Sequence, residues 1–154
     1  MYLLVVLLTM FLLPAGSIWA HHFFFGLPYS MLVDTWFVFW SVGVRLMIAG
    51  VRQFFQPQFT AVQIFQMRGD EALPIIRELG IANFAVGVIA VLSPWRPAFR
   101  LPMVIVGTIF YGTAGLRHLI HRGKTRNETV ALVSDLFVAT VLVVSQFLHP
   151  HFDF

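Results

Sequence analysis

Five apolar runs, each close to the length of a helix that crosses a bilayer, constrain this chain more than anything else in it. They cover residues 2–20, 31–51, 75–92, 101–119 and 130–148. A hydrocarbon core takes about 20 predominantly apolar residues of helix. Lipid offers no water to bond to the backbone, so a chain crosses it only as helix or as closed barrel. Barrel strands are shorter and alternate in polarity. These runs do not alternate, so helices are expected. The expected fold is all-α: a polytopic transmembrane helix bundle, a four-helix core plus an N-terminal transmembrane helix, in one domain over residues 1–154.

Composition leads to the same expectation. A soluble domain carries roughly 25% charged residues. This chain of 154 residues has 11%, against 58% hydrophobic, and its mean hydropathy is +0.82. Its expected surroundings are therefore lipid. The absence of cysteine excludes disulfides, thiolate zinc sites, cysteine-ligated iron–sulfur clusters and cysteine nucleophiles. The isoelectric point near 10 points to anionic lipid beside basic loops rather than to nucleic acid. Other membrane subunits, or further copies of this chain, are the expected protein partners.

The basic residues set an expected orientation. Arg52, Arg68, Arg77, Arg117, Arg122, Lys124 and Arg126 fall on one side of five alternating segments, and only Arg96 and Arg100 on the other. The positive-inside rule then puts the N-terminus in the cytoplasm and the C-terminus outside an inner membrane. The first segment carries the small residues Ala15, Ser17 and Ala20 that suit a signal-peptide cleavage site, but it lacks a basic leading region. It reads as an uncleaved helix.

Proline and polar residues punctuate the segments. Pro57, Pro74, Pro94, Pro97, Pro102 and Pro150 stand at or near their ends. Thr125-Arg126-Asn127-Glu128 reads as a capping box that opens the fifth helix. Phe59–Met67 mixes apolar residues with glutamine and reads as a short interfacial helix. Small residues predict where helices approach closely. Gly43 and Gly50 mark the second segment, Gly80, Asn83 and Gly87 the third, and Gly107, Thr108, Gly112 and Gly115 the fourth. The second to fourth helices are expected to pack tightly, with the third and fourth central. Trp36 and Trp95 are placed to act as interfacial anchors.

Polar groups inside the apolar runs are the candidate site. At 1.5 Å rise per residue, Arg45, Glu78, Asn83, His118 and Asp135 all fall in the cytoplasmic half. Gly107, Tyr111, Ala114 and His118 share one helical face, which makes a small-residue groove toward the histidine. An ionisable group inside a bilayer is expensive and marks a functional site by default. Arg45 can neutralise Glu78 or Asp135, and His118 can bridge the other carboxylate. Such a set can bind a proton, a divalent ion or a polar headgroup. A salt-bridge network that only locks the bundle explains the same residues, as does simple placement of Glu78 and His118 at headgroup level.

A second cluster lies at the other face. His21 and His22 follow the first segment, His149, His151 and Asp153 follow the fifth, and Asp34 begins the second. Imidazole clusters suit copper or zinc, and cleavage after Ala20 would make His21 an N-terminal ligand. Chain-end histidines at an interface are the plainer explanation. Haem is disfavoured, because no two histidines sit at matching depth on different helices. The sequence has no Gly-rich phosphate loop, no HExxH and no GxSxG, and it does not decide whether the protein is an enzyme.

The run from Arg77 to Gly87 (RELGIANFAVG), followed by Ser93-Pro94-Trp95, resembles an uncharacterised family of small bacterial multi-pass membrane proteins. The later order of a Gly-rich helix, His118 and Asp135 is distantly similar to DoxX-like proteins. The resemblance covers residues 31–148. It implies a four-helix core with a variable first helix, and it implies no activity. The function expected from the residues is binding of a proton, ion or small ligand at the buried Arg/Glu/His/Asp set. An accessory subunit of a larger membrane complex is the alternative, and a metal-binding protein using the outer histidines is the third.

Overall fold

The computed structural model describes residues 2–67 and 69–148. Arg68 and the C-terminal His149, His151 and Asp153 lie outside the described residues. Among those described there are helices and no strand, so the all-α expectation holds. Five helices are long and apolar enough to cross a membrane: Tyr2–Phe25, Tyr29–Phe55, Leu73–Leu92, Pro97–Ile120 and Arg126–Leu148. They are called the first to fifth spans. Each extends the expected segment by a few residues, because the flanking polar turns continue the helix until a glycine or proline stops it. Gly26, at φ 66°, ends the first span in the left-handed conformation. Pro74 opens the third within its first turn.

Two spans contain a widened turn. Leu8–Leu12 is π-helical, with the Leu13 amide bonded to the Leu8 carbonyl five residues back. Pro14 follows at once and has no amide to give. Val38–Val44 is π-helical in the second span, where the Arg45 amide reaches the Trp40 carbonyl. Phe59–Ile64, inside the stretch expected to form an interfacial helix, is a third short π-helical piece. Its Thr60 and Ala61 are buried against the bundle.

The second span, rather than the third or fourth, is the hub. It contacts all four others, the third most extensively, whereas the third and fourth spans meet only sparsely. The second buries 50% of an apolar 18-residue stretch and the third only 28%. The reason lies in which glycines meet. A Cβ on Gly50 would stand 2.5 Å from the Gly80 carbonyl oxygen, and one on Gly87 2.8 Å from that of Gly43. The third span therefore lies backbone to backbone on the second. The fourth span directs its glycines elsewhere: Gly107 toward Val42 and Leu142, and Gly115 toward Leu136 of the fifth span. Val6, Met10, Val38, Val42, Val138 and Leu142 form the fully buried centre. The outer faces stay apolar, with Ile105, Ile109, Leu116 and Leu119 exposed along the fourth span.

A methyl group at Gly80 would meet the Gly50 carbonyl oxygen at 2.8 Å and the Phe54 amide nitrogen at 2.9 Å. Neither backbone atom can turn aside. Gly80→Ala should therefore destabilise the protein by about 1–3 kcal/mol through overpacking, despite alanine's helix advantage of about 1 kcal/mol. Gly112→Ala, whose nearest neighbour would be the Ala139 Cβ at 3.9 Å, should hold or raise stability. Thermal unfolding of both variants in detergent measures the contrast.

Candidate functional site

The gap left between the third and fourth spans is the start of the site. Because the third span is drawn onto one side of the second, a cavity of about 830 Å³ opens between the second, third and fourth spans. The first and fifth spans and Phe59–Phe65 complete its lining. Arg45, Ile48, Ala49 and Arg52 line it at helical spacing along one face of the second span. Phe110, Tyr111, Ala114, Arg117 and His118 face it from the fourth. Most of the wall is apolar. At its side stand exposed residues of three spans, Ile48, Phe84 and Thr113.

Of the six residues expected to form a polar layer, Arg45, Asn83, Tyr111, His118 and Asp135 line this cavity. Glu78 does not; it is exposed on the third span. Arg45 therefore faces Asp135 alone, and the two do not form a direct ion pair. His118 meets neither expected carboxylate. Its Nδ1 is 3.1 Å from Glu128 Oε1, and His121 Nδ1 is 2.8 Å from the same oxygen. Glu128 is 2% exposed. The connection over residues 121–125 is so short that the opening turn of the fifth span folds back on the end of the fourth. Half of the expected capping box forms: Thr125 Oγ1 accepts the Glu128 amide at 3.1 Å. The Glu128 carboxylate goes to the histidines and to Gln66 Nε2, which donates to Oε2 at 3.1 Å. Gln66 adopts φ 54°, a conformation that costs a non-glycine residue energy. Its amide bonds to Glu128 and to the Gly123 carbonyl hold it there.

A hydrogen-bonded seam runs behind the cavity. The Tyr111 hydroxyl donates to the Ser41 carbonyl in the widened turn of the second span. The Ser41 hydroxyl donates to the Thr9 carbonyl in the widened turn of the first, at 3.2 Å. Thr9 in turn donates to the Val5 carbonyl at 2.8 Å. Widened turns leave carbonyls accessible to such partners. Across the cavity, Asn83 Nδ2 donates to Gln53 Oε1 at 2.8 Å and ties the third span to the second.

Three arginines border the cavity, each with an aromatic ring against its guanidinium. Arg52 lies 3.4 Å from the Phe59 ring centre, Arg117 4.5 Å from Phe65, and Arg45 5.6 Å from Tyr2. Arg45 and Arg52 each bury an Nε without a hydrogen-bond partner. None of the three arginines is in a salt bridge with a carboxylate among the described residues. Sequence reasoning missed Arg52 and Arg117 as site residues, because both stand at segment ends and read as loop charges. For Arg52 the i, i+7 spacing from Arg45 was the available signal; Arg117 had none. Tyr2, Gln53 and Glu128 carried no signal that separates them from ordinary end residues.

The outer histidines do not converge among the described residues. His21 accepts the Trp36 indole N–H at 3.3 Å. His22 Nδ1 lies 2.7 Å from the Leu27 carbonyl oxygen, and its ring stacks on Tyr29. Asp34 is buried, with the Thr35 hydroxyl 3.4 Å from its carboxylate. His149 and His151 are outside the described residues, and among those described no three His, Asp or Glu side chains gather as a metal-ligand set.

Fold and site together define a helical bundle with five spans of membrane-crossing length around an arginine-lined side cavity. The chain belongs to the Family of unknown function (DUF6790), whose model matches residues 1–152. No curated protein and no solved structure matches it.

Glu128→Ala should lower the melting temperature more than Thr125→Ala. The first leaves two imidazoles and Gln66 without their shared acceptor, at about 1.5–3 kcal/mol for a hydrogen-bonded charged group. The second removes one N-cap, at about 1 kcal/mol. Calorimetry or thermal scattering of the two purified variants measures the order.

Proposed function

We propose that this is a multi-pass membrane protein that binds a small amphiphilic molecule in the cavity between its second, third and fourth spans. The observation that carries this reading is the cavity itself. Ligand sites measure about 300–1,000 Å³ and combine mostly apolar walls with a few convergent polar groups; this one is about 830 Å³. Arg45, Tyr111 and Asp135 reach it from three different spans and Asn83 from a fourth. That volume favours an organic molecule over a bare proton or ion. It also favours a binding protein over an accessory subunit, whose polar layer would face a partner chain.

The proposed location is a cytoplasmic membrane: the apolar exterior supports a membrane setting, and the positive-inside rule assigns the basic end to the inside. The N-terminus is then cytoplasmic and the C-terminus external. The distant similarity to DoxX-like proteins, carried by the stretch of residues 77–87 and the order of His118 and Asp135, is compatible with this reading.

Native mass spectrometry from a mild detergent tests the proposal, with monoolein as an uncharged amphiphilic probe. One monoolein per chain is expected, and Ala114→Phe, which fills the cavity from its wall, should abolish it while the melting temperature stays within a few degrees. Equal monoolein binding by Ala114→Phe would overturn the reading. So would a protein subunit held at fixed stoichiometry with no monoolein bound.

A further inference from the structure

The charges around the cavity do not balance. Among the described residues, Arg45, Arg52 and Arg117 line it with a single carboxylate, that of Asp135. His118, the remaining basic side chain in the lining, is engaged by Glu128, which stands outside the lining. Tyr2 and Tyr111 complete the titratable set there. The lining arginines outnumber that carboxylate by two, Arg117 being the exposed one of the three. Arg45 and Arg52 are seven residues apart on one helical face and close enough to act electrostatically on each other. Like charges on a low-dielectric wall repel unless an anion lies between them.

The arginines are also prepared for an anion. A ring against the face of a guanidinium leaves its N–H edge free, and Arg45 and Arg52 each retain a buried Nε with no acceptor. Buried donors without partners are uncommon in folded proteins. The guanidinium edge matches two oxygens of a phosphate or carboxylate. A carboxylate supplies one negative charge, whereas a phosphate monoester carries about −1.5 to −2 near pH 7, which matches the surplus.

The walls decide between a free anion and a lipid. Met47, Ile48, Phe84 and Phe110 line the cavity; its exposed lining includes Ile48, Phe84 and Thr113 at the side, where the third and fourth spans separate, and Phe55, Gln56 and Arg117 toward the basic end. At the basic end Phe59 and Phe65 cover the arginines. A molecule arriving from the side brings a chain with it. Resting on the cavity-binding reading above, we propose that the ligand is a membrane lipid ending in a phosphate monoester. Its phosphate sits between Arg45 and Arg52, and its chain leaves between the third and fourth spans.

The test is a native mass spectrometry titration of the full chain with dioleoyl phosphatidic acid, dioleoyl phosphatidylcholine and inorganic phosphate, with monoolein in parallel. One phosphatidic acid should bind per chain, at least about tenfold tighter than phosphatidylcholine, and millimolar phosphate should not displace it. Arg45→Gln with Arg52→Gln should erase that preference and leave monoolein binding intact. Arg96→Gln, at the opposite end, should change neither. Should the double variant fail to fold, Arg52→Lys keeps the charge without the fork and should lower the preference by several-fold. Equal binding of the two lipids, a preference that survives loss of both arginines, or displacement by inorganic phosphate would each overturn the proposal. Monoolein binding that persists in those cases leaves the cavity reading standing; its loss removes both.

Discussion

The contact on which the rest of the structure depends is the backbone meeting of the second and third spans. Gly43, Gly50, Gly80 and Gly87 remove the side chains that would hold these helices apart. Lipid tails are as apolar as leucine, so close packing and hydrogen bonds, rather than hydrophobic burial, hold helices together in a bilayer. The third span gives its small-residue face to the second and has none left for the fourth. The fourth pairs with the fifth instead. A four-helix ring therefore stays open at one seam, and the cavity is that seam.

An open seam would be of little consequence if its lining were inert. The second span is most buried and also carries Arg45 and Arg52 into the bundle. Charge at that depth costs several kcal/mol unless something compensates for it. Compensation here is partial: aromatic faces cover the guanidinium groups, Asp135 answers Arg45 across the cavity, and buried Nε atoms remain without acceptors. The seam of Tyr111, Ser41 and Thr9, by contrast, closes its polar groups on one another. One polar system is closed on itself and the other is not, although an unpartnered buried Nε also occurs at Arg100, away from the cavity.

Much of this was legible in the sequence. The five spans follow from apolar run length. Depth along each run grouped Arg45, Asn83, His118 and Asp135, and the shared helical face of Gly107, Ala114 and His118 added Tyr111; all five line the cavity. Depth does not fix rotation, and that is why Glu78 was grouped with them although its side of the third span faces outward. Glycine positions marked close approach but not which helix would be approached, so the hub was placed in the third and fourth spans instead of the second. The widened turns were hidden because a π turn depends on tertiary hydrogen bonds, such as Ser41 to Thr9, and has no spacing of its own. Glu128 was read as a local cap; its histidine partners depend on how tightly residues 121–125 turn.

That turn gives the molecule unequal stiffness. Glu128 gathers His118, His121 and Gln66, and Thr125 Oγ1 donates to the Gln63 carbonyl at 3.0 Å. Two connections some sixty residues apart in sequence are thereby pinned at one carboxylate. At the basic end, the last turn of the fourth span, the first of the fifth and the Phe59–Ile64 segment are bound to move as one plate. Among the described residues, no side-chain hydrogen bond crosses the edge between the third and fourth spans. The pinned end resists separation of its helices, and the edge between the third and fourth spans is where the bundle is expected to open, as a page turns about a bound spine.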